Sequence, residues 1–316
     1  MAYAIETFDL CKAYGKQMSL IDLNLKVPDR GIYGFIGHNG AGKTTSLRII
    51  LGLTRADRGK VEIYGEDQSL IHAAGLHRIG SLIDARAVYP HLTGEQNLDL
   101  TRVLLRAPKR DIERVLDLVD LRSAARKKVG HYSMGMRQRL GIARALLGQP
   151  RLLILDEPLN GLDPDGISDM RRLLRDLADS QSMAVLVSSH LLSELERIAD
   201  HVGLIHQGRL LEQGPLSTIL SRVAATVRLE TAEPDRAVAF LKASGYTLLD
   251  RDGSVLRLQL TASETAIPAL AVRLVNSGIP ILGLARESAS LERLYQDRTR
   301  LESAMQPASL PEPTGA

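Results

Sequence analysis

Gly37-His38-Asn39-Gly40-Ala41-Gly42-Lys43-Thr44 is the stretch that decides the fold. The run Gly31 to Ile36 before it is short and apolar, the pattern of a buried strand, and Thr44 to Leu53 after it reads as a helix. A glycine-rich loop between a strand and a helix is a phosphate cradle. Glycines let backbone N–H groups curl round phosphate oxygens with no Cβ in the way, and the helix N-terminus turns its positive end on the anion. On this reading the backbone of Gly37, His38, Asn39, Gly40, Ala41 and Gly42 wraps the phosphates of ATP, and Lys43 reaches the β and γ groups. The Thr44 hydroxyl would ligate Mg²⁺, and Thr45 would add a phosphate hydrogen bond.

Leu152 to Leu155 and Ala184 to Val187 are brief, wholly apolar runs, as expected of parallel strands covered on both faces, so the class is α/β. The first of them delivers Asp156 and Glu157 at its C-terminal end, where an open α/β sheet keeps its ligand crevice. Asp156 would hold Mg²⁺ through its water shell. Glu157 is placed to orient and deprotonate an attacking water, a contribution of roughly 10² to 10⁴ in rate for a positioned base. Upstream, Ile21 to Val27 alternates apolar and polar residues and is predicted to form one half-buried strand.

Glu95 to Leu147 reads as a helical insert, with Ile112, Val115, Leu116 and Val119 at helical spacing. After Gly214-Pro215 the character changes. Ala225 to Glu230, Tyr246 to Leu249, Val255 to Leu260 and Ile279 to Leu284 are predicted strands, Asp252-Gly253 marks a hairpin turn, and helical stretches separate the rest. That order suggests a small ferredoxin-like α+β domain. The expected division is 1–220 for a P-loop ATPase domain, with a helical subdomain at about 85–147, then 221–303 for the accessory domain. Residues 304–316, rich in Pro, Ser and Ala, are expected to be a disordered tail.

The 40 Lys and Arg nearly balance the 37 Asp and Glu, and the net charge of +3 leaves no basic tract to track a nucleic-acid backbone; no nucleic acid is expected as a partner. Cys11 is the only cysteine, which excludes an intrachain disulfide and fits a reducing, cytoplasmic setting. The first residues carry Glu6 and Asp9 with no apolar run, so no export signal is expected, and nowhere do about 18 uncharged apolar residues run together. A membrane role is therefore expected to come through a partner.

Tyr132-Ser133-Met134-Gly135-Met136-Arg137-Gln138-Arg139-Leu140 resembles the signature motif of ATP-binding-cassette (ABC) ATPases. Asn160-Gly161-Leu162-Asp163 looks like that family's D-loop, and Val187-Ser188-Ser189-His190 like its switch strand. The resemblance spans Ala4 to about Leu220. It implies that Ser133, Gly135 and Asp163 meet nucleotide across the interface with a second ATPase copy, most simply a homodimer. It also implies that His190 senses the γ-phosphate and that Tyr14 stacks on adenine. An integral membrane permease, encoded separately, would be the other partner, holding the ATPase on the inner face of the cell membrane.

At the position where the family usually has glutamine, Ile79-Gly80-Ser81-Leu82-Ile83 is followed by Asp84, an acidic residue whose reach to Mg²⁺ would need a bridging water. An acidic residue here resembles the bacitracin and lantibiotic self-protection exporters, as do Leu159 to Ile167 and Ser188 to Glu194. The resemblance thus implies an ATPase that powers export of an antimicrobial peptide or antibiotic. An importer or a metal-centre assembly ATPase would use the same engine with another partner, while a ribosome- or DNA-directed cassette protein would be expected to carry two cassettes or a more basic surface.

Overall fold

The computed structural model describes residues 2–70, 78–83, 88–222, 226–259, 266–287 and 289–305. It divides into two compact units, Met1–Leu216 and Ser217–Ala316.

The first unit begins with an antiparallel sheet made of β1 (Tyr3–Tyr14), β2 (Gln17–Leu23), β3 (Lys26–Pro28), β5 (Arg58–Ile63) and β6 (Glu66–Asp67), in which β1 pairs with β2, β3 and β5. The single strand predicted for Ile21 to Val27 is two strands. Its alternating burial persists throughout, but the regular strand pairing is interrupted at Asn24 and Leu25. Buried Thr7 closes the gap: its hydroxyl donates to Leu23 O at 2.7 Å and accepts from Leu25 N at 2.8 Å. With Thr7 N donating to Leu25 O at 2.9 Å, backbone and side chain of one β1 residue together satisfy the groups at the interruption.

The second sheet carries the site. Its order is β11 (Arg209–Pro215), β10 (His201–His206), β4 (Gly31–Ile36), β9 (Ala184–Ser189), β8 (Leu152–Asp156) and β7 (Ile79–Leu82). From β10 to β7 every pairing is parallel. The central strands are buried along nearly their whole length, which explains their unbroken apolar sequences. Helix α1 (Lys43–Ile50) follows β4; it is shorter than predicted, because the chain turns at Gly52 with φ +71°.

Among the described residues the insert holds three α-helices, α2 (Gly94–Leu105), α3 (Arg110–Leu118) and α4 (Met134–Leu146), with two short 3-10 turns between α3 and α4. Helix α2 starts at a reciprocal cap in which Thr93 and Gln96 each bond the other's backbone N–H. Helix α5 (Pro164–Ser180) starts with Asp163 as cap and Pro at its first position, and the short α6 (Leu192–Glu196) lies between β9 and β10.

In the second unit the order is β12 (Thr226–Glu230), α8 (Pro234–Ala243), β13 (Leu248–Asp252), β14 (Val255–Gln259), α9 (Ala266–Asn276) and β15 (Gly283–Glu287); α7 (Leu216–Ser221) precedes it and α10 (Leu291–Met305) follows it. The antiparallel sheet β13-β14-β12-β15 is the ferredoxin-like arrangement, with Val227, Leu229, Leu256 and Leu258 packed against Leu241, Leu270 and Leu274. Gly253, at φ +56°, makes the expected hairpin turn. The last strand starts later than the predicted Ile279. Ile279 N bonds back to Leu274 O after Gly278 at φ +68°, so the front of that apolar run is the exit from α9, and buried Ile279 seals the core. Ala304 and Met305 end α10 rather than belonging to a tail; the rest of the predicted tail, Ala225, Leu260 and the 85–87 edge of the insert lie outside the described residues.

Candidate nucleotide site

Strands β4, β9 and β8 are neighbours, and their C-terminal ends deliver the three predicted motifs to one place. Ile36 is level with Ser189, and Asp156 is level with Ser188. The loop after β4 is Gly37 to Gly42; the residues after β8 and β9 are Glu157 and His190. A parallel sheet with its crevice at the strand ends produces this convergence from three distant parts of the chain.

Two glycines in the loop are required by the space. A Cβ on Gly37 would stand 2.5 Å from Ile205 O, and one on Gly42, at φ +109°, would stand 2.7 Å from Ser19 O. Lys43 opens α1 and is only 5% exposed. Its ammonium donates to Gly37 O at 2.6 Å and His38 O at 3.3 Å, and pairs with Glu157 Oε1 at 3.1 Å. The other oxygen, Glu157 Oε2, accepts from His190 Nδ1 at 2.8 Å. Because a carboxylate only accepts, the proton of that imidazole bond sits on Nδ1.

The Thr44 hydroxyl donates to Asp156 Oδ2 at 2.7 Å. A hydroxyl and a carboxylate side by side at the phosphate loop are hard oxygen donors of the kind that suits Mg²⁺, which binds through one or two protein groups and fills its other positions with phosphate oxygens and water. Among the described residues there is no group of three His, Cys, Asp or Glu that could hold a metal ion. Asp84 lies outside the described residues.

Tyr14, His38, Asn39, Gly40, Gly42, Lys43, Thr44, Thr45 and Glu157 line one cavity of about 350 Å³. Tyr14 is 52% exposed at the end of the β1–β2 hairpin. Ala41 is buried beneath the loop, and its amide bonds to His38 O at 3.1 Å. Gln17, Met18 and Ser19 of β2 complete the wall, and Ser19 Oγ donates to Thr45 Oγ1 at 3.0 Å. Sequence reasoning missed these three. No local pattern marks them, because the hairpin register alone carries them to the loop.

Ser133, Gly135 and Asp163 are brought together elsewhere. They line a second cavity of about 590 Å³, formed by the starts of α4 and α5, which has no lining residue in common with the first. Ser133 caps α4 by accepting from Met136 N at 3.2 Å, and Asp163 caps α5 by accepting from Gly166 N at 3.1 Å. The larger cavity of the second unit, about 860 Å³, is lined by Asp250, Arg257, Glu287 and Arg300, whose charges pair with one another.

Residues 20–160 match the family described as ABC transporter. The bacitracin transport ATP-binding protein of Bacillus licheniformis is 40% identical over 300 residues, 93% of this chain and 97% of the relative. The lantibiotic transport ATP-binding protein of Streptococcus pyogenes is 38% identical over 203 residues, 64% of this chain and 87% of the relative. Among solved structures, a dimeric ATP-binding cassette in a post-hydrolysis state with ADP and Pi superposes with a TM-score of 0.60 at 23% identity, covering 67% of this chain and 98% of that one. With sequence similarity over nearly its full length, and with the glycine-rich loop, Asp156, Glu157 and His190 assembled at the C-terminal ends of three neighbouring strands, the chain belongs to the ABC transporter family, as the subunit that binds and hydrolyses ATP.

Proposed function

We propose that two copies of this chain enclose two Mg²⁺·ATP between the phosphate loop of one and the signature of the other, and so power export of an antibiotic or antimicrobial peptide through a separate membrane permease. The observation behind the two-copy reading is the separation of the two cavities: Lys43 and Glu157 line one, Ser133 and Gly135 the other. A second copy would bring a helix N-terminus, a hydroxyl and a close backbone approach onto the phosphate that the first copy holds. The solved cassette that is dimeric with ADP and Pi bound is a precedent for two copies associating.

Within each site Lys43 and the loop amides bind the phosphates, and Tyr14 stacks on the base. Glu157 orients the attacking water and takes its proton, while His190, bonded to the same carboxylate, fixes that carboxylate's orientation and reads the γ-phosphate. Thr44 and Asp156 would hold Mg²⁺, which when bound neutralises phosphate charge. The export assignment rests on the near full-length similarity to the bacitracin protein. No helix among the described residues is long and apolar enough to cross a membrane, so the pathway is assigned to the permease.

The test is to purify a tagged Glu157→Gln chain from native membranes with ATP and identify its companions. A polytopic membrane protein supports the reading. Ribosomal or DNA-bound material without one overturns the transport reading and leaves the ATPase intact.

A further inference from the structure

The hydroxyl of Ser188 is fully buried in β9, level with Asp156 on β8. It lies between two groups on which hydrolysis depends, making a short hydrogen bond with Asp156 Oδ1 and standing 3.1 Å from Glu157 N. The chemistry of the partners fixes the direction of both bonds. A peptide N–H only donates and a carboxylate only accepts, so Ser188 accepts from Glu157 and gives its single proton to Asp156. Asp156 Oδ2 meanwhile accepts from Thr44. Hydroxyls from β9 and α1 therefore clamp the two oxygens of one carboxylate from opposite ends.

From this clamp we infer that Ser188 is a positioning residue of the ATPase, holding Asp156 so that Oδ2 faces Thr44 and the metal position, and anchoring the backbone from which Glu157 projects. The inference rests on the roles proposed above for Asp156 and Glu157. A merely structural hydroxyl would act differently. Ser188 O also accepts from Glu157 N, at 3.1 Å, so removing the hydroxyl leaves that N–H bonded and transfers the loss to Asp156. Glu157 sits at φ +50°, a conformation uncommon outside glycine, which the double hold on its N–H helps to maintain. The adjacent Ser189 does another job: its hydroxyl accepts from Leu191 N at 2.9 Å and shapes the turn that carries His190.

The test uses the full-length chain. It reads ADP affinity with saturating Mg²⁺ and with EDTA, and the Mg²⁺ concentration for half-maximal ATPase rate, with circular dichroism as the folding control. Ser188→Ala is expected to lose on the order of 10-fold of the Mg²⁺ enhancement of ADP binding, as other groups that orient a metal ligand do, with affinity in EDTA unchanged. Asp156→Asn should remove most of the enhancement, and the double variant should be no worse than Asp156→Asn alone. If the alanine chain does not fold, Ser188→Cys serves, because its thiol is a weaker donor and should give an intermediate loss. A full Mg²⁺ enhancement in the Ser188 variants beside a defective Asp156→Asn, or additive losses in the double variant, would overturn the role of Ser188 alone. A full enhancement in Asp156→Asn would overturn the metal role of Asp156 and that of Ser188 with it.

Discussion

Lys43 and Glu157 form an ion pair at 3.1 Å, linking the first residue of α1 to the residue that follows β8. The same ammonium is the group expected to meet the β and γ phosphates, so nucleotide and carboxylate compete for one charge.

Glu157→Gln removes the competitor together with the base. ATP hydrolysis should fall by roughly 10²- to 10⁴-fold, while ATP affinity holds or rises. Lys43→Ala should instead weaken ATP binding by about 10- to 100-fold, the range for a hydrogen bond to a charged group. Parallel rate assays and fluorescence titrations separate the two. Weakened ATP binding in Glu157→Gln, to the extent seen in Lys43→Ala, would contradict this account of the pair.

Ser133 is a helix cap and a candidate phosphate ligand at once, and charge separates the roles. Ser133→Ala should cost ~1 kcal/mol of stability through the lost bond to Met136 N. Ser133→Asp keeps an effective cap and adds a negative charge where phosphate is expected, so thermal stability should hold while ATPase activity falls by roughly 10²-fold or more. An active, stable Ser133→Asp chain would reduce Ser133 to a cap.

Asp111, 2% exposed, ties α3 to the end of α4, since Oδ2 accepts from Gly148 N at 2.8 Å and Oδ1 accepts from Arg114. Burial alone would raise its pKa, but the Arg114 and Gly148 bonds outweigh burial and hold the carboxyl below its usual range. A depressed folded value means that the unfolded chain binds the proton first. The stabilisation is therefore complete above the unfolded pKa of about 4 and is lost as pH falls through the folded value. Asp111→Asn should lose ~1.5 to 3 kcal/mol at neutral pH and show a flatter decline in acid. Urea unfolding at a series of pH values checks this, and curves of equal slope for the two chains would refute it.

The parts of the site set by local chemistry were legible in the sequence. Gly37 and Gly42 are needed because no Cβ fits, Lys43 and Thr44 stand out as the ammonium and hydroxyl that the proposed phosphate and cation would require, and β4, β8 and β9 read as unbroken apolar runs because they are buried parallel strands. The parts set by long-range pairing were not. Thr7 bridging β2 and β3, Ser19 reaching Thr45 and Ser188 holding Asp156 all depend on register between segments far apart in the chain. The late start of β15 was hidden because Ile279 is apolar for helix-exit packing and for strand packing alike.

Sedimentation of the Glu157→Gln chain with and without Mg²⁺·ATP tests the composite site most directly. The account predicts a monomer without nucleotide, a dimer with it, and no dimer when Ser133→Asp is added. A chain that binds ATP yet stays monomeric, or one whose dimer is indifferent to Ser133→Asp, would contradict it.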